Sequence, residues 1–233
     1  MLSIALAFQQ CTTERDALMA IFNTNGGILW TGAGLWGTGA PVCSWQGVTC
    51  QNSVVVGLDL SGFGLTGILT PDIQCLKFLK SFHLNNNSLA SEIPTALCAL
   101  QNLQYFQANS AGFTGVIPAC VCTMQHIMYF YVDNNTLSGQ IPTCVGNMTY
   151  LREMHLKCNS LNGTIPTGFE TLVYLTELRV NCNVNLNCSS ALSTKSNFIF
   201  ICGDIDCQDC IISGNSCPLY IDIPNCPRYV PIA

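Results

Sequence analysis

The sequence predicts a repeat solenoid of the α/β class, in which short parallel strands form a sheet on the concave face of a horseshoe. Three observations predict this fold. Apolar residues recur with a fixed period through the middle of the chain, all three tryptophans precede that region, and six cysteines follow it. We therefore expect stacked coils closed by a helical N-terminal cap and a cysteine-rich C-terminal cap.

A 24-residue unit occurs six times, and its first apolar residue defines position 1. The six units begin at Val55, Leu79, Leu103, Ile127, Leu151 and Leu175. Positions 1, 4 and 6 are apolar, as expected for a strand whose alternate side chains point into a core. A single coil cannot bury its own apolar face, so we expect the coils to stack.

Two further columns of the unit predict local structure. Position 9 carries asparagine in four units: Asn87, Asn135, Asn159 and Asn183. A buried amide can satisfy the backbone of a turn and of the neighbouring coil, so we expect a hydrogen-bonded column that Phe63 and Ala111 interrupt. Glycine at position 13 predicts a tight bend, and the proline at position 16 predicts that strand pairing stops there.

One unit reads Leu151-x-x-Met154-x-Leu156-x-x-Asn159-x-Leu161-x-Gly163-x-Ile165-Pro166. This pattern resembles the plant-type leucine-rich repeat of receptor-like proteins, receptor-kinase ectodomains and polygalacturonase-inhibiting proteins. The run from Cys43 to Cys50 and the segment Glu14-Arg-Asp-Ala-Leu18 resemble the N-terminal cap of the same class. The resemblance covers about Cys11 to Leu186. It implies a leucine-rich repeat horseshoe with an irregular or 3-10 convex side and a role in recognition, although the class contains many functions.

The caps and repeats divide the chain into four parts. Residues 1–10 are a signal-peptide remnant or an N-terminal extension, because they are apolar and contain a small-x-small pattern. Residues 11–54 form the N-terminal cap, in which Thr13-x-x-Asp16 predicts a capping box at the start of a helix. Residues 55–186 are the repeats and residues 187–233 the disulfide-rich C-terminal cap, where Ile199 remains in the 24-residue register of Leu175.

Composition excludes several classes of function. Charged residues make up 9% of the chain and the net charge is −5, so the positive field that nucleic acid requires is missing. No apolar run approaches the roughly 18 to 20 residues that span a bilayer. Apolar residues make up 49% of the chain, which is ample for a core and excludes disorder.

The sixteen cysteines indicate an oxidising compartment and a secreted, extracellular protein. Three pairs share a unit position in consecutive coils: Cys98 with Cys122, Cys120 with Cys144, and Cys158 with Cys182. Stacked positions lie about 5 Å apart, so we predict a disulfide for each pair, and another for Cys43 with Cys50. Cys11 pairs with Cys75, or Cys75 competes for Cys98, and the pairing of the six C-terminal cysteines stays open.

The sequence indicates no enzyme, no cofactor and no metal. It lacks G-x-S-x-G, H-E-x-x-H and a phosphate-binding glycine loop. His83 and His155 share position 5 but lie three coils apart, roughly 15 Å, which is too far for one ion. Cys207-x-x-Cys210 is interpreted as structural disulfides rather than a zinc or redox site. The acidic group Asp204, Asp206 and Asp209 is interpreted as a solvated turn rather than a calcium site.

The concave strand face is the predicted binding surface, because aromatic and charged residues are sorted along it. Tyrosines lie in the middle coils and mixed charges in the last two, a composition typical of recognition patches. The candidate residues are Tyr105, Gln107, Tyr129, Tyr131, Arg152, Glu153, His155, Lys157, Glu177 and Arg179. We place the centre on the tyrosines and expect Tyr131 to face outward, so that its removal barely changes stability.

Five N-x-S/T sequons predict a glycoprotein: Asn86, Asn134, Asn147, Asn162 and Asn187. Asn86 and Asn134 share position 8, where the strand ends. A glycan there would narrow the accessible part of the concave surface.

These features favour a secreted recognition protein that binds an extracellular protein or polysaccharide through its concave face. The alternative is a structural subunit of an extracellular coat or fibre, which binds other copies of itself. Low charge and dense disulfides suit that alternative. Ice binding, known in some plant-type repeat proteins, needs a flat array of matched threonines, and position 12 is too irregular to supply it.

Overall fold

A computed structural model describes residues 12–183, 185–187 and 199–201. The described part of the chain begins with helix α1 (Glu14–Thr24), which is followed by two short 3-10 helices, Gly27–Leu29 and Val42–Ser44. Five longer 3-10 segments then recur along the repeats: Pro71–Cys75, Thr95–Ala99, Ala119–Thr123, Thr143–Asn147 and Thr167–Thr171. They recur with the period of the repeat and form the convex side, as the resemblance to leucine-rich repeats implies.

The rest of each coil contains short strands, some on the concave face and others between the concave strand and the next 3-10 segment. They are β1 (Val48–Gln51), β2 (Val54–Asp59), β3 (Thr66–Gly67), β4 (Ser81–His83), β5 (Ser88–Leu89), β6 (Ser91–Glu92), β7 (Tyr105–Gln107), β8 (Phe113–Val116), β9 (Tyr129–Tyr131), β10 (Thr136–Gln140), β11 (Glu153–His155), β12 (Ser160–Thr164), β13 (Glu177–Arg179), β14 (Asn185–Asn187) and β15 (Ile199–Ile201).

The concave sheet has the order β1-β2-β4-β7-β9-β11-β13-β15, and every pair after the antiparallel β1–β2 is parallel. From β2 to β13 each residue pairs with the residue at the same unit position of the next coil, for example Tyr105 with Tyr129. This register confirms the predicted period. The predicted register of Ile199 is wrong, because Ile199 pairs with Glu177 and not with Leu175. The connection into β15 is therefore shorter than that of a full repeat.

A second parallel sheet, which the sequence analysis does not predict, runs along the flank in the order β14-β12-β10-β8-β6. Its register is offset from the repeat period, since Gly139 pairs with Leu161 and not with Gly163. Gly115, Gly139 and Gly163 have φ values of 71°, 72° and 80°, so the predicted bend exists. It lies inside β8, β10 and β12, and the strands end before the Ile-Pro pairs.

The core lies between the two sheets and the convex 3-10 segments. Position 4 supplies a continuous aromatic column in which Phe82, Phe106 and Phe130 are fully buried, with ring centroids 6.0 and 5.4 Å apart. Each such ring contributes about 1.5 to 3 kcal/mol through burial. Stacking of identical positions thus stabilises neighbouring coils in turn.

The asparagine column is confirmed. The Asn135 amide nitrogen donates to the carbonyl oxygens of Ala108 and Val132, and its oxygen accepts from the N–H groups of Ala111 and Phe113. Each amide therefore satisfies backbone groups in its own coil and in the preceding coil. A column of this kind joins coils where main-chain pairing is interrupted.

The N-terminal cap covers one end of this core. The capping box is present, since Thr13 Oγ1 accepts from Asp16 N and Asp16 Oδ2 accepts from Thr13 N. The buried face of α1 consists of Ala17, Leu18, Ile21 and Phe22, which are spaced for one face of a helix. Glu14 accepts a hydrogen bond from Val55 N, which ties the helix to the first repeat.

The convex cysteines pair differently from the prediction. Disulfides join Cys98 to Cys120 and Cys122 to Cys144, each with Cα atoms 5.8 Å apart. The predicted pairs Cys98 with Cys122 and Cys120 with Cys144 are wrong. Residues at the same position of stacked coils have parallel Cα–Cβ bonds, whereas a disulfide needs Cβ atoms that converge to about 3.8 Å. Position 20 of one coil and position 18 of the next meet that requirement.

The predicted pair of Cys158 and Cys182 is wrong for the same reason. The two cysteines are not joined to each other. Both have positive φ, 49° and 61°, at position 8 of consecutive coils, so their side chains run parallel. The disulfide between Cys43 and Cys50 is confirmed, with Cα atoms 5.6 Å apart. Cys75 is also disulfide-bonded, and not to Cys98.

Several predictions concern residues outside the described part of the chain. These are the segment 1–10, the pairing of Cys11, most of the C-terminal cap with its six cysteines, and the two C-terminal motifs at Cys207 to Cys210 and Asp204 to Asp209. Among the described residues, no helix combines the length and apolar character needed to cross a bilayer.

Candidate functional site

The middle of the concave sheet carries a stack of tyrosines. Positions 3 and 5 of each strand point away from the core, because position 4 between them points inward. Tyr105 in β7 and Tyr129 in β9 are register partners, and their rings stack with centroids 4.7 Å apart and planes 8° apart. Tyr105 is the more open of the two, with 37% of its surface exposed. The shared unit position of Tyr105 and Tyr129 therefore places their rings as a stacked pair.

Tyr131 is held by its neighbours instead of standing free on the surface. Its ring stacks on His155 with centroids 4.2 Å apart, and its hydroxyl donates to Glu153 Oε2 at 2.5 Å. Burial and the Glu153 carboxylate raise the pKa of Tyr131 well above its usual value. Tyr131 thus remains a neutral hydrogen-bond donor at all physiological pH values.

His155 lies at the centre of a group of acidic side chains. Its Nε2 atom is 3.6 Å from Glu153 Oε2 and 3.7 Å from Glu177 Oε2, and Nδ1 is 4.0 Å from Asp133 Oδ2. Burial is the main cause that lowers the pKa of His155, the Arg179 charge adds to it and Glu153 opposes it, and the net result is a pKa of about 4. The imidazole is therefore neutral at neutral pH, with only 12% of its side chain exposed.

The remaining residues of the predicted binding set differ in their distance from the acidic group around His155. Arg179 forms an ion pair with Glu177 on the same strand, at the edge of the acidic group. Gln107 is the register partner of Tyr131, and Lys157 follows β11, where its N–H donates to Asp133. Arg152 does not join the group, because its guanidinium lies 6.0 Å from the Tyr174 ring.

Two features of the structure lie outside the predicted binding set. Asp133 faces His155 from the preceding coil but is absent from the predicted binding set. A second aromatic row lies at position 24, where His126 stacks on Tyr150 and Tyr150 on Tyr174, each at 6.3 Å. We call this row the flank ladder. The sequence contains a signal for this row, because position 24 is aromatic in three consecutive units. The signal is of the same kind as the cysteines that recur at one position of consecutive units.

All five sequon asparagines are exposed: Asn86, Asn134, Asn147, Asn162 and Asn187. Asn86 and Asn134 both have a φ of 55°, where the chain leaves β4 and β9. The structure thus places these two at the edge of the concave sheet. Their modification stays a prediction.

Comparison with known proteins agrees with this architecture. The family model of the leucine-rich repeat region matches residues 51–199. Over 68 residues the chain is 43% identical to the LRR receptor-like serine/threonine-protein kinase GSO2 of Arabidopsis thaliana. That stretch is 29% of this chain and 5% of the kinase, so the chain spans about one twentieth of its relative.

Solved structures share the fold. The PEPR1–AtPEP1 structure superposes with a TM-score of 0.73 at 24% identity, over 80% of this chain and 27% of that one. The ectodomain of the Arabidopsis receptor kinase HAESA, solved with an N-terminally extended IDA peptide hormone, gives a TM-score of 0.61 at 26% identity, over 72% and 29%. The chain therefore belongs to the leucine-rich repeat family, and its repeats are of the plant type.

Proposed function

We propose that this chain is an extracellular recognition module that binds an extended peptide segment of a partner protein across its concave sheet and catalyses no reaction. The observation that carries the proposal is the stacked pair of Tyr105 and Tyr129, which lies beside a patch bearing both signs of charge. Ordered aromatic rings offer contact area at a small cost in conformational entropy.

The charges favour a peptide over a neutral polysaccharide. Glu153 lies one coil from Tyr129 on the same face, and Glu177 and Arg179 lie two coils from it. A peptide supplies charged termini and side chains that such groups recognise, and a neutral sugar chain does not. The HAESA ectodomain, which shares this fold at 26% identity, was solved with a peptide hormone, and this supports the same class of ligand here.

The histidines support a non-catalytic role. His83 faces Asp59, His126 lies against the carbonyl oxygen of Gln101, and His155 contacts carboxylates and a tyrosine ring. In the described part of the chain no histidine is thus paired with a serine or cysteine nucleophile. The disulfides support an extracellular location, because a reducing cytosol would not maintain them.

The test uses peptides selected on the native chain from a random library displayed on phage. Tyr105→Ala should weaken their binding by more than about 1 kcal/mol, measured by biolayer interferometry. Tyr150→Ala is the matched control, because Tyr150 is an exposed, stacked tyrosine of the flank ladder. Its removal should leave peptide binding unchanged.

Two results would overturn the proposal. In the first, selected peptides ignore Tyr105→Ala and respond to Tyr150→Ala, which would move recognition to the flank. In the second, the purified chain yields no specific peptide and forms filaments under the electron microscope. Filaments would favour the structural-subunit alternative.

A further inference from the structure

We propose that Glu153, His155 and Glu177 form a binding site for one divalent transition-metal ion of the zinc type on the concave face. The three side chains come from strands β11 and β13, which are adjacent in the sheet, and each offers one ligand atom. These atoms all lie within 4.8 Å of one another. The inference is independent of peptide recognition and would hold if the concave face bound no peptide.

The distances suit an ion of this size. His155 Nε2 lies 3.6 Å from Glu153 Oε2 and 3.7 Å from Glu177 Oε2. Ligand atoms at about 2.1 Å from a tetrahedral zinc ion are separated by about 3.4 Å. Small side-chain rotations therefore bring the three atoms into the coordination sphere without moving the strands.

One nitrogen of the His155 imidazole, Nε2, is buried without a hydrogen-bond partner in the described part of the chain. His155 Nε2 is fully buried, and no group in the described residues hydrogen-bonds to it. A buried polar atom without a partner is costly, and native structures seldom leave one. The atom points at two carboxylate oxygens, so a cation bound between the three atoms would coordinate the Nε2 lone pair and offset the negative charge of both carboxylates.

A protonated histidine between two glutamates is the alternative explanation, and the surroundings oppose it. The imidazole is largely buried, and its register partner on β13 is Arg179, whose positive charge opposes a second positive charge on the imidazole. Nδ1 faces Asp133, which favours the tautomer with its proton on Nδ1 and a lone pair on Nε2. That lone pair would then face two negative oxygens, an arrangement that a metal ion makes favourable.

Neighbouring residues orient the ligands as outer partners of a metal site do. The Tyr131 hydroxyl donates to Glu153, Arg179 pairs with the Glu177 oxygen that faces away from His155, and Tyr131 stacks on the imidazole. Such contacts fix the rotamers of ligating side chains. The donor set of one nitrogen and two carboxylates suits zinc and similar ions, and three protein ligands leave a coordination position for water or another donor.

The test is metal binding by the tag-free chain after treatment with a chelator. Titration with Co²⁺, followed by visible absorption, should saturate at one equivalent, and Zn²⁺ should displace it. His155→Gln and Glu177→Gln should each weaken Zn²⁺ binding at least about tenfold in calorimetry. Zn²⁺ should also raise the melting temperature of the native chain and not that of His155→Gln.

Two matched variants control for binding elsewhere. His83→Gln removes a histidine at the same unit position, which faces the single carboxylate of Asp59 at 3.8 Å. Cys182→Ser removes a free thiol, a soft ligand that zinc also accepts. Both variants should bind Zn²⁺ as the native chain does.

The proposal fails if the native chain binds no Zn²⁺ at micromolar concentrations, or if binding survives His155→Gln and is lost in Cys182→Ser. If His155→Gln does not fold, Glu153→Gln decides in its place. Because the readout is metal binding alone, failure here would leave the peptide-binding experiment with Tyr105→Ala unaffected.

Discussion

The ring of His155 lies flat against the ring of Tyr131, with centroids 4.2 Å and planes 12° apart. The two residues are register partners in β9 and β11, so the parallel sheet itself sets their spacing. This contact turns a surface position into a packed one. It also separates the two tyrosine environments of the concave face: an open pair at Tyr105 and Tyr129, and a closed position at Tyr131.

Replacement of Tyr131 by alanine should therefore destabilise the fold. The change removes the stacking on His155 and the hydrogen bond to Glu153, together about 1 to 2 kcal/mol. The sequence-based expectation of a nearly unchanged melting temperature should not hold. Denaturant unfolding measures the effect, and Tyr150→Ala on the flank ladder should cost less because Tyr150 is 51% exposed. Equal losses at both positions would contradict this account.

The disulfide pattern predicts a count of free thiols in paired variants. Cys98→Ser with Cys120→Ser removes one complete disulfide and should expose no new thiol. Cys98→Ser with Cys122→Ser removes one partner from each of two disulfides and should expose two, at Cys120 and Cys144. Alkylation in denaturant followed by mass spectrometry gives the count, and the opposite result would restore the same-position pairing.

A pair of glycines continues the disulfide column. Gly146 and Gly168 occupy positions 20 and 18 of the next two coils, where a Cβ atom on Gly168 would lie 2.8 Å from Gly146 N. Gly168→Ala should therefore overpack the convex side and cost about 1 to 3 kcal/mol in denaturant unfolding. Gly39→Ala is the control, because a Cβ atom there meets nothing within 4 Å. If Gly168→Ala left the free energy of unfolding unchanged, the two coils would have to move apart easily at this point.

Periodicity made the stacking of the coils predictable. A fixed 24-residue interval forces matched positions into neighbouring coils, so the register of Tyr105 with Tyr129 follows from counting alone. The capping box at Thr13 and Asp16 was equally accessible, because its contacts are local in sequence. Both features depend on spacing and not on the direction of side chains.

The sequence does not give the directions in which side chains leave the backbone. The convex cysteines were placed in the correct neighbouring coils, yet their pairing depends on how Cβ atoms converge in 3-10 segments. Sequence spacing likewise gives Glu153, His155 and Glu177 only as separate residues of the binding face. Their closeness arises because Glu153 and His155 share a strand while Glu177 comes from the next coil.

The capping carboxylate should make helix stability depend on pH. Hydrogen bonds from Thr13 and Thr12 hold the pKa of Asp16 below its usual value. The stabilisation is therefore complete above the unfolded-state pKa, near about 3.9, and is lost as pH falls through the lower folded-state pKa. The melting-temperature advantage over Asp16→Asn should be full at neutral pH and shrink below about pH 4. An advantage that stays constant into acid would contradict an ionised cap.

The asparagine column predicts an asymmetry between two residues of the same coil. Asn159 donates to the carbonyl oxygens of Val132 and Leu156 and accepts from Leu137 N, all in the buried interior. Alanine cannot replace these bonds, and the orphaned backbone groups cannot reach water, so Asn159→Ala should cost about 1 to 3 kcal/mol. Asn162 is exposed on the flank sheet and serves as the control.

Both variants are compared after enzymatic removal of any N-linked sugar, because Asn162 lies in a sequon. Denaturant unfolding should then show a lower midpoint for Asn159→Ala and a midpoint near the native value for Asn162→Ala. The loss at Asn159 should also spread beyond one coil, because its amide joins the strand exits of two coils and stability in a solenoid depends on neighbouring units. Hydrogen exchange would detect this as faster exchange at Leu137 N and at the amides around Leu156. Equal midpoints for the two variants would mean that the buried amides do not join the coils.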